Sequence, residues 1–118
     1  MGEVLVEITV ANPVSRARSA RVRALADTGA TLSVIPGPVL ESLGIEREDS
    51  AIGILADGRE VTRDVGHAVV TVNSRSASSL VIFGEPEDLA ILGLTVLEQL
   101  GLAVEPERGR LVPGRLLF

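Results

Sequence analysis

A chain of 118 residues is the size of one domain, and 46% of it is apolar, enough for a core and too much for a disordered chain. A net charge of -5 with no lysine argues against a phosphate-binding surface, and a count of two aromatic residues leaves no stacking platform for single-stranded nucleic acid. With no cysteine, disulfides, thiol catalysis and thiolate metal sites are excluded.

The opening Met1-Gly2-Glu3-Val4-Leu5-Val6-Glu7 has acidic residues where a signal peptide carries positive charge. No apolar stretch is long enough to cross a bilayer, so one soluble, cytoplasmic domain over 1–118 with no membrane partner is expected. Val4 to Val10 is rich in β-branched residues and predicts a strand that stops at Asn12-Pro13. Arg16, Arg18, Arg21 and Arg23 predict the solvent face of a hairpin whose second strand, Val22 to Ala26, leads to an aspartate.

That aspartate opens Asp27-Thr28-Gly29-Ala30, a Gly-containing turn set between two apolar runs. Burial there, or a second carboxylate close by, would perturb its pKa, as happens at acid/base sites. Read by itself the tetrapeptide is equally an ordinary β-turn, because Asp, Thr and Gly are all turn residues.

Beyond it, Gly37-Pro38-Val39-Leu40-Glu41-Ser42-Leu43-Gly44-Ile45 predicts a short helix with proline in its first turn, a left-handed glycine past its end, and Ile45 folded back. Ile52 to Thr62 predicts a hairpin with a type I′ turn at Asp57-Gly58. Strands around Ala68–Val72 and Leu80–Phe83 follow, with Asn73 to Ser79 turning between them. Leu89 to Gly93 leads into a helix from Thr95, where Thr95 and Glu98 have capping-box spacing and Gly101 ends the element. Val104 and Arg110 to Val112 suggest terminal strands about a turn at Pro106 to Gly109. Many short strands with two short helices make a mainly β domain.

The sequence also echoes itself. Leu25-Ala26-Asp27-Thr28-Gly29 resembles Leu89-Ala90-Ile91-Leu92-Gly93, and Val39 to Ile45 resembles Val96 to Leu102, in the same order. Two halves about a pseudo-twofold axis are expected, with a carboxylate in the first only. A two-carboxylate site would need a second chain.

With Asp27-Thr28-Gly29-Ala30, the apolar Val34-Ile35, the hairpin about Asp57-Gly58, and Ile91-Leu92-Gly93 before a helix, the sequence resembles the retropepsin-like aspartic proteases. The resemblance implies a closed, mainly antiparallel β-barrel with one or two short helices, acting as a homodimer on peptide or protein substrates. It implies that Asp27 meets its own copy across an isologous interface, one carboxylate as general base on water and the other protonated against the scissile carbonyl. The pair would then own the apparent pKa values and give a bell-shaped pH profile. By the same resemblance Thr28 bonds across the dimer, Gly29 lends its N–H to the carboxylate, and Ala30 is small where substrate passes. Thr31 replaces a second aspartate frequent in viral members. Ile52, Ile54 and Leu55, with the tip at Asp57 and Gly58, would form an apolar flap over substrate. The apolar tail Pro113 to Phe118 would pair with its symmetry mate or dock elsewhere, with Leu5 to Ile8 as a complementary strand.

The lone His67 reads as a strand-surface residue; several-His or Cys metal sites are ruled out in one chain, and no metal or other cofactor is expected. Glu85, Glu87 and Asp88 read as a solvated loop rather than a cation site. The expected function is an aspartic endopeptidase. The alternatives are a non-catalytic dimerisation or peptide-binding module on the same fold, and a small acidic β domain whose Asp-Thr-Gly is only a turn.

Overall fold

Period-two burial sets the strands: Val22, Ala24 and Ala26 are buried while Arg21 and Arg23, in the alternate positions, are exposed. The computed structural model describes residues 3–114 of the chain. In order these form β1 (Leu5–Ala11), β2 (Ser19–Asp27), β3 (Ser33–Pro36), α1 (Gly37–Ser42), β4 (Asp49–Ile54), β5 (Glu60–Val72), β6 (Arg75–Gly84), β7 (Ile91–Gly93), α2 (Leu94–Leu100), β8 (Leu102–Glu105) and β9 (Arg110–Pro113). The tail residues 115–118 lie outside the described residues, so the expectation for them is not met or refused.

Six strands close into a barrel, mostly antiparallel with two parallel pairs. The order β1-β2-β7-β3-β6-β5 returns to β1 through Thr9–Ala11 against Val69–Thr71, while β4 extends the sheet from the edge of β5. The parallel pairs are β2 with β7 and β3 with β6. Ile8, Val10, Ile35, Leu40, Phe83 and Leu92 are among the fully buried side chains, and both helices press on this core through Leu40, Val96 and Leu97. β8 and β9 form a separate two-stranded sheet.

The first helix ends as expected. Gly44 is left-handed (φ 73°), its N–H donates to the Glu41 carbonyl, and the Ile45 N–H reaches back to the Leu40 carbonyl at 3.1 Å. The second ends on left-handed Gly101 (φ 65°).

Two turns differ from expectation. Asp57 does not adopt positive φ, and only Gly58 does (φ 88°). The Gly58 N–H donates to the Leu55 carbonyl and the Leu55 N–H to the Arg59 carbonyl, a three-residue loop closed by a left-handed glycine. The two-residue turn with both φ positive is at Asn73-Ser74 (51° and 68°), and Arg75–Ser79 is strand rather than turn. Asparagine tolerates that backbone through local hydrogen bonding.

The pairings obey an internal twofold. Leu25 opposite Ile91 is matched by Ile82 opposite Val34, and Asp27 opposite Gly93 by Gly84 opposite Pro36. An offset of 57 positions therefore carries β2, β3 and α1 onto β6, β7 and α2, with Ser33 falling on Ala90 just before β7. The helices match as the sequence suggests, but Asp27 maps onto Gly84 and not onto Ile91. The reason is topological: β7 plays the part of β3, so Ile91-Leu92-Gly93 corresponds to Val34-Ile35-Pro36. With the pairing in hand, short matches at the same offset fall into place, Arg18-Ser19-Ala20 with Arg75-Ser76-Ala77 and Leu32 with Leu89, though words this short do not fix a register by themselves. Only one half carries a carboxylate at this position, as the echo implied.

Candidate active site

Strand β2 delivers Asp27 at its C-terminal end, after which the chain turns through Thr28 and Gly29. The Asp27 side chain is half-buried; Thr28, Gly29 and Thr31 are exposed and Ala30 is half-buried. The Gly29 N–H donates to Asp27 Oδ1 at 2.8 Å, and the Ala30 N–H to the Asp27 carbonyl at 3.2 Å. A Cβ on Gly29 would stand 3.1 Å from the same Oδ1, tight enough to disturb that bond. Oδ2 of Asp27 and the Thr28 hydroxyl accept or donate no hydrogen bond among the described residues.

The loop is held from the other half of the barrel. The Leu94 N–H donates to the Ala30 carbonyl at 2.8 Å and the Thr95 N–H to the Thr31 carbonyl at 3.1 Å. These are first-turn amides of α2, which have no partner inside their helix. The expected capping box is consequently absent: the helix starts at Leu94, Gly93 is its N-cap, and no side chain caps it. Backbone carbonyls of the aspartate loop do that work instead. Gly93 packs so closely that a Cβ there would lie 2.6 Å from the Leu32 carbonyl carbon.

Ser33, fully buried, accepts the Gly93 N–H on its hydroxyl at 2.9 Å. Neither residue was singled out as part of the aspartate site from the sequence. The available signal was a lone hydroxyl on the inward face of an apolar strand, two residues before buried Ile35.

The hairpin residues stand apart from this loop. Ile52 and Ile54 are 71% and 74% exposed on edge strand β4, Leu55 is half-buried, and Asp57 and Gly58 form the exposed tip. No hydrogen bond joins the tip to the Asp27 loop among the described residues. At the tip the Asp57 carboxylate accepts the Arg59 backbone N–H and its Nε, which together hold its pKa below the ordinary value.

The hairpin is tied down at its root. Arg63 of β5 grips Asp88 with two bonds, Nε to Oδ2 at 2.7 Å and Nη2 to Oδ1 at 3.0 Å, in the least exposed ion pair of the described residues. Asp88 Oδ2 also accepts the Glu85 N–H, and the Arg63 guanidinium keeps the Asp88 carboxyl below the usual range. Asp88 is thus engaged, while Glu85 and Glu87 stay exposed. His67 is exposed, its Nδ1 2.7 Å from Glu48 Oε2, and this contact lowers the Glu48 pKa.

The gag-polyprotein putative aspartyl protease family model matches residues 16–99, a span running from before the Asp27 strand into the last turn of α2. The chain belongs to that family. Its fold is that of retroviral proteases: EIAV protease, solved with the inhibitor HBY-793, superposes with a TM-score of 0.66 at 20% identity, covering 84% of this chain and 88% of that one. The protease of Simian Foamy Virus (mac) superposes with a TM-score of 0.55 at 22% identity, over 79% and 90% of the two chains. Among curated proteins none matches. The family and the fold support protease activity in general, and no helix in the described residues is long and apolar enough to cross a membrane.

Proposed function

We propose that this member of the gag-polyprotein aspartyl protease family is a homodimeric aspartic endopeptidase whose site forms where two Asp27 loops meet. The observation that carries the reading is the Asp27 carboxylate, fixed on Oδ1 by the Gly29 N–H and left open on Oδ2, in a loop exposed on the single chain. Two such carboxylates brought within a few ångströms cannot both ionise easily and share a proton.

The ionised member takes a proton from a bound water as its oxygen attacks the scissile carbonyl carbon. The protonated member donates to the carbonyl oxygen, giving a neutral tetrahedral diol. The newly protonated member then returns its proton to the amide nitrogen while the other takes one from a diol hydroxyl, so the C–N bond breaks and releases amine and acid with the dyad restored. Thr28, whose hydroxyl has no partner among the described residues, bonds across the interface and holds the loops in register. Ala30 and Thr31 flank the substrate backbone. Ile52, Ile54 and Leu55 supply an apolar cover carried by the hairpin with its tip at Asp57 and Gly58, favouring apolar side chains beside the cut. The exposure of Ile52 and Ile54 supports this, since an edge strand without such a role rarely displays two isoleucines on one face. We place this activity in the cytoplasm, a compartment in which a chain without disulfides loses nothing.

The test joins sedimentation to a peptide-library digest at mildly acidic pH, for wild type and Asp27→Asn. A dimer that cuts, with a bell-shaped pH profile, and an Asp27→Asn protein that folds and dimerises without cutting are expected. A wild-type dimer that binds peptides and cuts none would instead make the chain a binding module.

A further inference from the structure

The internal twofold exposes a matched difference beside Asp27. In the half that carries the aspartate loop, Ser33 lends a buried hydroxyl to the Gly93 N–H. At the equivalent place in the other half stand Ala90 and Pro36, with neither hydroxyl nor N–H. Donor and acceptor are both present or both missing. That is the pattern expected when an unpaired buried polar group is costly and an apolar pair is not. The pattern extends one step: Thr95 gives its N–H to the Thr31 carbonyl, whereas its counterpart Pro38 has none to give.

We infer that Ser33 is a positioning residue for Asp27, an assignment that rests on the protease reading for its effect on rate but not for its effect on the carboxylate. It acts through Gly93. Gly93 lies directly opposite Asp27 in the parallel β2–β7 pair and touches the backbone of Leu32 and Ser33. Its N–H, anchored on the Ser33 hydroxyl, fixes the height at which β7 meets the end of β2. The next two amides then meet the Ala30 and Thr31 carbonyls in register, and Gly29 stays where its N–H reaches Oδ1. Removing the hydroxyl frees the Gly93 N–H to seek another acceptor, and the aspartate loop shifts with it. Catalytic groups tolerate displacements of only a fraction of an ångström.

Three full-length variants test this. Ser33→Ala deletes the acceptor, Ser33→Cys replaces it with a weak one of similar shape, and Ser33→Thr retains it. The first readout needs no activity: the Asp27 carboxyl carbon and the Gly29 and Gly93 amides are followed by NMR through a pH titration. Ser33→Ala and Ser33→Cys should displace the Gly29 amide resonance and the Asp27 midpoint, and Ser33→Thr should restore both. The second is peptide cleavage below the melting temperature, where Ser33→Ala should lose about tenfold or more in kcat with KM nearly unchanged. If Ser33→Ala, or Ser33→Cys should the alanine variant not fold, leaves the Asp27 titration and the Gly29 amide superimposed on wild type, the assignment is overturned. A wild type that cuts nothing while Ser33→Cys still displaces the titration would sink the protease reading and leave the positioning role standing.

Discussion

The loop from Asp27 to Ser33 and the loop from Gly84 to Ala90 occupy equivalent places in the two halves of the barrel, and they are secured by opposite means. Backbone amides secure the first: Gly93, Leu94 and Thr95 donate in succession to Ser33, Ala30 and Thr31. A side-chain ion pair secures the second, Asp88 being gripped by Arg63 and closing on its own Glu85 N–H. The equivalent start of α1, Pro36-Gly37-Pro38, carries two residues with no N–H. Amides held in a strand and a helix give a fixed geometry, which suits the presentation of a carboxylate that we propose for this loop. A partly buried ion pair is little screened by salt but still answers to pH, which suits a loop tied to a projecting hairpin.

The largest effect expected from breaking this asymmetry is at the carboxylate itself. Asp27→Asn should lower peptide cleavage by at least about 10³-fold while leaving the melting temperature near wild type, as read by library digest and thermal melts. Gly84, its counterpart, offers no group to lose.

Next come the glycines that close the two parallel pairs. In Gly93→Ala the new methyl meets the Leu32 carbonyl group at 2.6–2.7 Å, a backbone obstacle, whereas in Gly84→Ala its nearest neighbour is a Val34 methyl at 2.9 Å, able to rotate away. Gly93→Ala should destabilise by about 2–3 kcal/mol and Gly84→Ala by about 1 kcal/mol, measured by denaturant titration. Equal costs would mean the two junctions are packed alike.

The ion pair should show its pH dependence in a comparison of wild type with Asp88→Asn. The folded pKa of Asp88 is lowered, chiefly by its bonds from Arg63, so its contribution is complete above the ordinary carboxyl pKa of about 4 and disappears as pH falls through the lowered value. Because the pair is partly solvated, the stability gap should be about 1–2 kcal/mol at pH 6, shrinking toward zero in stronger acid. A gap that persists at pH 2 would rule the pair out as its source.

The smallest expected difference is between the two arginines that cap the helices. Arg75 donates to the Leu100 carbonyl at 2.7 Å from a partly buried position, and its counterpart Arg18 to the Ser42 carbonyl at 3.1 Å from an exposed one. Arg75→Ala should cost about 1 kcal/mol and Arg18→Ala about 0.5 kcal/mol, in the range of a cation at a helix C-terminus.

Much of this was legible from residue order. Strand alternation in Val22 to Ala26, the Gly44 and Gly101 stops, and the placing of Asp27 at a strand end all follow from local rules. Where local reading went astray, a distant partner had decided the matter. Thr95 and Glu98 have the spacing of a cap, but the Thr95 N–H is already satisfied by a carbonyl 64 residues earlier, at Thr31. Asp57-Gly58 has the composition of a type I′ turn, yet a three-residue loop closes there and the type I′ geometry goes to Asn73-Ser74. The first part of the internal echo slid onto a chance match at Leu89 to Gly93, because short apolar words recur and only strand pairing fixes which copy is which.

By itself the sequence determined a mainly β fold without thiols or lysines, a carboxylate in a Gly turn, and the glycine stops of both helices, because each depends on composition or on residues adjacent in the chain. The tertiary structure alone decided that Gly84 is the counterpart of Asp27 in the other half, that Gly93 lies opposite Asp27 with its N–H on the Ser33 hydroxyl, and that α2 caps itself on the aspartate loop. Those facts are hydrogen bonds and register between segments some 60 residues apart, as Ser33 and Gly93 are, and chain order carries no direct record of them.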